Sequence, residues 1–385
     1  MATHLKDVAL PSAGASWTTW GTAIDAELRD RAVGVWQIDN FDGATDDDKH
    51  VAAWAAAAAA TRKPILQYPA RTFGPLSTPI AAFSGMRAIG PDGNDGVKNQ
   101  EISSGNLVNH KVSVSCGTGT SSLFVQSSSI NDVVFANISW SGTSGSQWWH
   151  NTNGSVYSIY PGQFHSLSFD GFSTVLGSAS SKFTITQVVF SGHWTILNFS
   201  GSTPVHLGGS DNPNLWKSGM LNIQSPASVA GGGNPIMLVD YLEKSCLSNV
   251  YCTNDNGWTG IRSVGPPGRA VRLRDCVIEG RAAGTPATAA CLDVQGQYVI
   301  LDGVDIGQVT TANGAIVQSG GILNIKDAYY RRASAVDATY PLLYQTGGVY
   351  LRSGAVPVSG NGEAVRMRLS DGSTYDYPYP TANVM

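Results

Sequence analysis

Charge is scarce in this chain. Asp, Glu, Lys and Arg together make up 14% of its 385 residues, about half the usual share. The 28 acids exceed the 24 bases, for a formal net charge of −4, and no basic run occurs anywhere. That argues against nucleic acid and anionic membranes as partners. Long apolar stretches are missing too. Nothing approaches the roughly 18 residues of a membrane span, so no membrane insertion is expected. The opening MATHLKDVALPSAGASW lacks the apolar core of a signal peptide, and no leader is expected. Cysteine is sparse. Cys116, Cys246, Cys252, Cys276 and Cys291 show no CxxC spacing and lie in apolar, strand-like stretches, which reads as buried free thiols. No zinc or Ser-His-Asp signature appears, so neither a metal nor a cofactor is assigned.

What is present is apolar residue and glycine: 42% of the chain is hydrophobic and 44 residues are Gly. With abundant Ser and Thr, this is the composition of a β-rich protein whose surface carries hydroxyls rather than charges. The second half repeats. CLSNVYC, VRLRDCVI, YVILDGVDI, LNIKDAYY and VYLRSGAV align on Leu247, Leu273, Ile300, Ile325 and Leu351, in steps of 26, 27, 25 and 26. Leu221, Ile185, Phe164 and Ile130 extend the series backwards in steps of 26, 36, 21 and 34. A second set of short strands lies between these: WTGIRSV, ACLDVQG, GAIVQSG and PLLYQTG. Several short strands per repeat, glycine at the corners and no helices describe a coiled β-solenoid with about three strands per turn. The polar residues Asp132, Gln187, Asn249, Asp275, Asp302 and Asp327 are expected to form a hydrogen-bonded ladder along one corner.

The stretch FDGATDDDKHVAAWAAAAAA (41–60) suits a helix that closes one end of such a solenoid, where an open edge would otherwise pair with other chains. Thr45 or Asp46 serves as N-cap, Asp47 and Asp48 complement the helix dipole, and Val51, Trp54, Ala55 and Ala58 form the apolar face. The aspartates therefore read as a helix start rather than a catalytic or metal cluster. DGATDDDKHVAAW, followed by PILQYPARTF and MRAIGPDG, resembles the opening of the pectate-lyase-like right-handed β-helix proteins. There a D-G-x-x-D-D motif begins the capping helix and P-x-G-x-Y begins the first coil. Asp42, Gly43, Asp46, Asp47, Pro69 and Phe73 match, while Arg71 stands where glycine is usual. The resemblance spans residues 36–355 and implies an all-β, right-handed, single-stranded parallel β-helix. It does not specify an activity, because polysaccharide hydrolases, lyases and phage tail proteins share the motif.

Residues 1–35 carry Trp17, Trp20, Ile24 and Leu28 on one helical face and read as an attachment or oligomerisation segment. Residues 356–385 alternate Val365, Met367 and Leu369, turn at Asp371-Gly372 and return through Tyr375 and Tyr377, a hairpin cap. A solenoid behind a helical segment is similar to phage tailspikes and minor tail proteins. That resemblance implies a virion location, a homotrimer, docking to other virion tail proteins through the N-terminal segment, and a bacterial surface polysaccharide as partner. A free polysaccharide hydrolase or lyase and a purely structural tail component are the alternatives.

The two long steps point to loops at 145–160 and 201–219. They hold Trp148, Trp149 and His150 in one, and His206, Asp211 and Trp216 in the other. With Trp258 in CTNDNGWTG, these aromatic and polar groups suit sugar rings; packing on the solenoid wall or between subunits is the other reading. Glycoside hydrolysis needs two carboxyl groups about 5–9.5 Å apart. Asp255 and Glu279, 24 residues apart, are the candidate pair, chosen over Asp170, Asp211, Asp240, Glu243 and Asp275. A lyase would call on a base such as Arg262, Arg272 or Arg274. Should the protein cut its glycan, hydrolysis is the expected route.

Overall fold

Among the described residues two sheets, one of 16 strands and one of 13, run along the solenoid. The computed structural model describes residues 34–90 and 113–377, apart from 155, 202, 210–214, 226–229, 243–244, 255–256, 267–269, 280–288, 308–314, 332–341, 353–357, 360–364, 370 and 372. For 215–220, 331, 352, 358–359, 365–368 and 374–377 it describes the backbone alone. The expected N-terminal attachment helix lies outside the described residues. Each coil alternates a strand of the first sheet (such as Gly162–Asp170) with a shorter strand of the second (such as Val205–Gly209). Pairings between coils are parallel throughout, as in Phe164↔Phe190 and Met237↔Ile261. The protein is a parallel β-helix.

Long strands of the first sheet bend in the middle, and the sequence shows why. Asn137, Ser166, Gly192 and Asn249 sit there with φ between 47° and 73°, followed by Asp275 and Gly303 on later coils. Only glycine and short polar residues adopt this left-handed region at low cost, so the chain turns where they stand. The expected polar ladder is thus real at Asn249 and Asp275, and Asp302 and Asp327 adjoin it. Asp132 and Gln187 belong to a different corner, immediately before the strands Val133–Ser141 and Val188–Leu197.

The register also corrects the repeat. Phe135, Phe164, Phe190, Trp216, Leu247, Leu273, Leu301 and Ile325 occupy successive rungs of one column, 29, 26, 26, 31, 26, 28 and 24 residues apart. Ile300 pairs with Arg272 and lies on the outer face, one residue off the interior column. A slip of one residue reverses the face of a strand. Leu221 belongs to a separate column with Trp194 and Val250, and Ile130 and Ile185 to a third through Ile159. The steps of 34 and 36 arose from joining these columns.

Helix α1 (Asp46–Ala59) caps the first coil. Thr45 and Asp48 form a reciprocal capping box, while the other two aspartates tie down the chain that follows. Asp46 takes both Arg71 guanidinium nitrogens at 2.7 Å and the Gly74 N–H at 2.9 Å. The Arg71 bonds are the chief reason its carboxyl titrates below the usual range. Arg71, the departure from the family pattern, also binds Asp39 at 2.7 Å. Asp47 accepts from the N–H and hydroxyl of both Ser77 and Thr78. Burial pushes its pKa up, yet those four bonds outweigh it and leave it lowered. The buried face of α1 is His50, Ala53, Trp54 and Ala57: of the expected face Trp54 is buried and Val51 packs against the core, while Ala55 and Ala58 are exposed. His50 turns inward because Trp54 donates its indole N–H to His50 Nε2 at 3.0 Å and the Tyr68 hydroxyl lies 2.9 Å from the same nitrogen. At the other end, Val365–Leu369 and Thr374–Tyr377 form the expected antiparallel hairpin, its first strand paired with the last short strand, Leu343–Gln345.

Candidate functional site

Three of the four tryptophans expected to hold sugar, Trp148, Trp149 and Trp258, are in the core. Trp148 and Trp149 belong to the strand Gln147–Asn151 of the second sheet and have no exposed surface. The Trp148 ring sits 4.9 Å from Phe169, and Trp149 lies 5.6 Å from Phe124 and donates to Gln126 Oε1 at 3.1 Å. Trp258 is equally buried, edge-on to Phe199 at 5.1 Å. None of the three offers a face to a ligand. Trp216 takes the register position between Phe190 and Leu247 in Leu215–Gln224, a strand rather than a loop. Asp211 lies outside the described residues.

The candidate carboxyl pair is not brought together by the described residues. Asp255 lies outside them. Glu279 pairs in register with Thr253, is buried, and accepts a hydrogen bond from the Tyr251 hydroxyl.

Polar chemistry gathers instead on the outer face of the second sheet. Its strands alternate, so the residues between the inward Val205, Met237, Ile261 and Leu292 face the other way. They form one row: His206, Leu238, Arg262 and Asp293 on successive rungs. His150, singled out from sequence, occupies the same row nearer the cap, half-buried, where Val125 pairs with it. Arg262 donates from Nε to Asp293 Oδ2 at 2.7 Å and from a second nitrogen to the Gly233 carbonyl at 2.8 Å. Gln295 adds a bond to the same carboxylate oxygen at 2.8 Å.

A second cluster adjoins it. Between the strands Thr174–Leu176 and Phe183–Ile185 the chain makes a small excursion, closed by the Ser178–Ser181 bridge, that carries Lys182. The Lys182 ammonium lies 2.7 Å from Asp240 Oδ2, and His206 Nε2 lies 3.6 Å from the same atom. His206 Nδ1 is 2.6 Å from the Ser178 carbonyl. A carbonyl only accepts, so Nδ1 carries a proton. The His206 ring and the Lys182 ammonium hold the Asp240 carboxyl below its usual range, against the cost of burying it. Gly208 makes the crossing possible: a Cβ there would stand 2.7 Å from Lys182 Cδ.

Arg262 and Asp293 are legible in sequence once GIRSV and CLDVQ are aligned on Ile261 and Leu292, which leaves Arg and Asp on one outward row. Lys182 is not, because it sits in the excursion, out of step with the repeat. Among the described residues no group of three or more His, Cys, Asp or Glu is arranged to hold a metal ion, and no helix is long and apolar enough to cross a membrane.

No protein-family model matches the chain, and no curated protein does. Among solved structures it is similar to the A-module of a mannuronan C-5 epimerase from Azotobacter vinelandii. That likeness has 11% identity and a TM-score of 0.34, and covers 85% of this chain and 98% of that one. It is also similar to the ORF18 protein of Geobacillus virus E2, at 10% identity and a TM-score of 0.24, over 94% of this chain and 66% of that one. Neither likeness speaks to activity.

Proposed function

We propose that the protein is a β-helical phage tail component that binds a bacterial surface polysaccharide along the outer face of its second sheet. The observation that carries the reading is the row of His206, Leu238, Arg262 and Asp293 on successive coils, with the Lys182–Asp240 pair beside it. Such a row spaces hydrogen-bonding groups along the solenoid axis at about 4.8 Å per rung, which suits an extended polymer of hydroxyl-bearing rings. Recognition then rests on hydrogen bonds rather than on aromatic stacking, since Trp148, Trp149 and Trp258 are spent on the core. The virion setting rests on the resemblance of the DGATDDD opening and of the solenoid plan to tail proteins. Cleavage is not favoured by this face. Asp293 is bound by Arg262 and Gln295 and Asp240 by Lys182, so the two do not form a free carboxyl pair of the kind hydrolysis needs.

The test is to incubate the protein with purified bacterial envelope polysaccharides and to follow binding, reducing ends, and the ultraviolet absorbance of unsaturated sugar. Saturable binding without either chemical signal is expected. New reducing ends alone would make it a hydrolase and turn attention to Asp255, and both signals together a lyase. Silence in every assay would leave the purely structural tail component standing.

A further inference from the structure

We infer that a second copy of this chain packs along the outer face of the first sheet, seated on an apolar patch at the end away from the cap. The inference stands apart from the glycan-binding reading, which concerns the other sheet. Its first ground is what this face shows to solvent. On the strands Tyr298–Gly307, Ile322–Arg331 and Val349–Arg352 the interior takes Val299, Leu301, Leu323 and Ile325, all fully buried. Alternation turns their neighbours outward: Tyr298, Ile322 and Val349 in one column, Ile300, Asn324 and Leu351 in the next. Asn324 is the one polar member without a ring or branched chain, and it donates its amide to the Tyr298 hydroxyl at 3.2 Å. Val349 is 51% exposed and Leu351 43%. A sheet face left in water carries polar side chains at such positions; this one carries apolar ones, the mark of a surface that another molecule covers.

The second ground is the shape of what lies beside the patch. The column of Ile300, Asn324 and Leu351 continues towards the cap through Arg272, Cys246, Leu215, Val189, Gln163 and Val134 on successive rungs. Arg272 is its one charged residue, and Val134, Val189, Cys246 and Ile300 are partly exposed. At about 4.8 Å per rung the strip is about 38 Å long. A width of about 15–20 Å, two to three outward columns, gives about 600–750 Å² per copy, against about 800 Å² per partner in a stable interface. A rounded partner touches only part of so straight a strip, whereas a second solenoid laid beside it covers its whole length. Both signs of charge occur on the rim, where Arg274 stands in register with Asp302, which lets the face meet a copy of itself. The outer row of the second sheet, with His206, Arg262 and Asp293, stays free in such an assembly.

The test is sedimentation of the full chain across the micromolar range. A species of defined mass holding more than one copy is expected, and its mass gives the number of copies. Val349→Lys combined with Leu351→Lys puts charge into the patch and should raise the dissociation constant at least about tenfold, with thermal melting confirming the fold. Leu351→Gln alone adds no charge, keeps the test open should the lysines disturb folding, and should weaken association about fivefold. Val317→Lys, on the outer face of the second sheet in register with Asp293, should leave the assembly unchanged. A single copy at every concentration overturns the inference. So does an assembly that the patch variants leave intact, or one that Val317→Lys dissolves as readily, since either result places the contact elsewhere.

Discussion

The two halves of the solenoid fill the same cross-section with different side chains. Near the cap the interior is aromatic: Phe135, Phe164 and Phe190 stack rung on rung, with centroids 6.0 and 5.4 Å apart and planes within 8° and 18°. Trp140, Trp148, Trp149 and Phe169 pack around them. Further along, the same columns read Leu273, Leu301 and Ile325 in one sheet and Ile261, Leu292, Ile316 and Leu343 in the other. Rings bury more surface per residue but bring polar edges inside. Trp149 and Trp194 find acceptors in Gln126 and the Ser191 carbonyl, whereas the buried Nε1 atoms of Trp140 and Trp148 have none. The aliphatic half brings no such edges from its columns. Its interior amides, Gln297 and Gln318, reach the Leu242 and Val349 carbonyls at the turns. The aromatic end gains area and carries unpaired N–H groups with it; in the aliphatic end the buried polar atoms without a partner are amide oxygens, Asn254 Oδ1 and Gln318 Oε1 among them.

Truncating a ring is the harshest way to separate the halves. Trp148→Ala should cost about 3–5 kcal/mol, with a cavity that the packed rings around it cannot close. Ile306→Val, equally buried at the other end, should cost only about 0.5–1.5 kcal/mol. Urea unfolding of both variants checks the ranking. Equal losses would mean that the ring cluster is no tighter than the aliphatic columns.

Acid should separate the halves next. His50 is held neutral under α1: burial lowers its pKa to about 3, and a protonated Nε2 could not accept the Trp54 indole N–H. The unfolded chain takes up that proton near pH 6.5 and the folded chain does not. The stability that neutral His50 confers is therefore complete above pH 6.5 and lost progressively as pH falls towards 3. At pH 5 the loss is about 2 kcal/mol. Amide exchange should show the cap and its first coils opening more readily at pH 5 than at pH 7. No histidine follows His206 in the sequence, so the far coils with Leu301, Ile316 and Ile325 have no such group. His50→Gln keeps an acceptor for Trp54 and should flatten the response; an unaltered pH dependence would assign the effect elsewhere.

Both halves hide part of their register from the sequence. The helix start at DGATDDD was plain, because Thr45 to Asp48 is a local capping pattern that needs no tertiary information. Register was not local. In YVILDG both Ile300 and Leu301 are apolar, and only the pairing with Leu273 shows which one faces inward. In QWWHN the two tryptophans resembled a ligand platform because the repeat count had left a false surplus there. Sequence alone does not assign His50 to the buried face of α1, because histidine counts as polar until its partners Trp54 and Tyr68 are known. The site divides in the same way. Arg262 and Asp293 follow from period-two alternation in aligned strands, but Lys182 meets Asp240 only through the excursion that leaves the repeat.

The smallest effect bears on what the halves share. Asn137 in the aromatic half and Asn249 in the aliphatic half both hold the mid-strand bend, with φ of 58° and 56°. A left-handed residue with a Cβ costs about 1–2 kcal/mol unless it is Asn, Asp or Gly. Asn137→Ala and Asn249→Ala should therefore each lose about 1 kcal/mol relative to the matching glycine variants. The Ala-to-Gly difference isolates the backbone from whatever the amide itself binds. Equal differences at the two positions would make the corner a property of the coil, independent of what fills it. A much larger penalty at Asn137 would mean that the rigid rings beside it resist the adjustment that leucines permit, and that the two interiors differ in compliance as well as in chemistry.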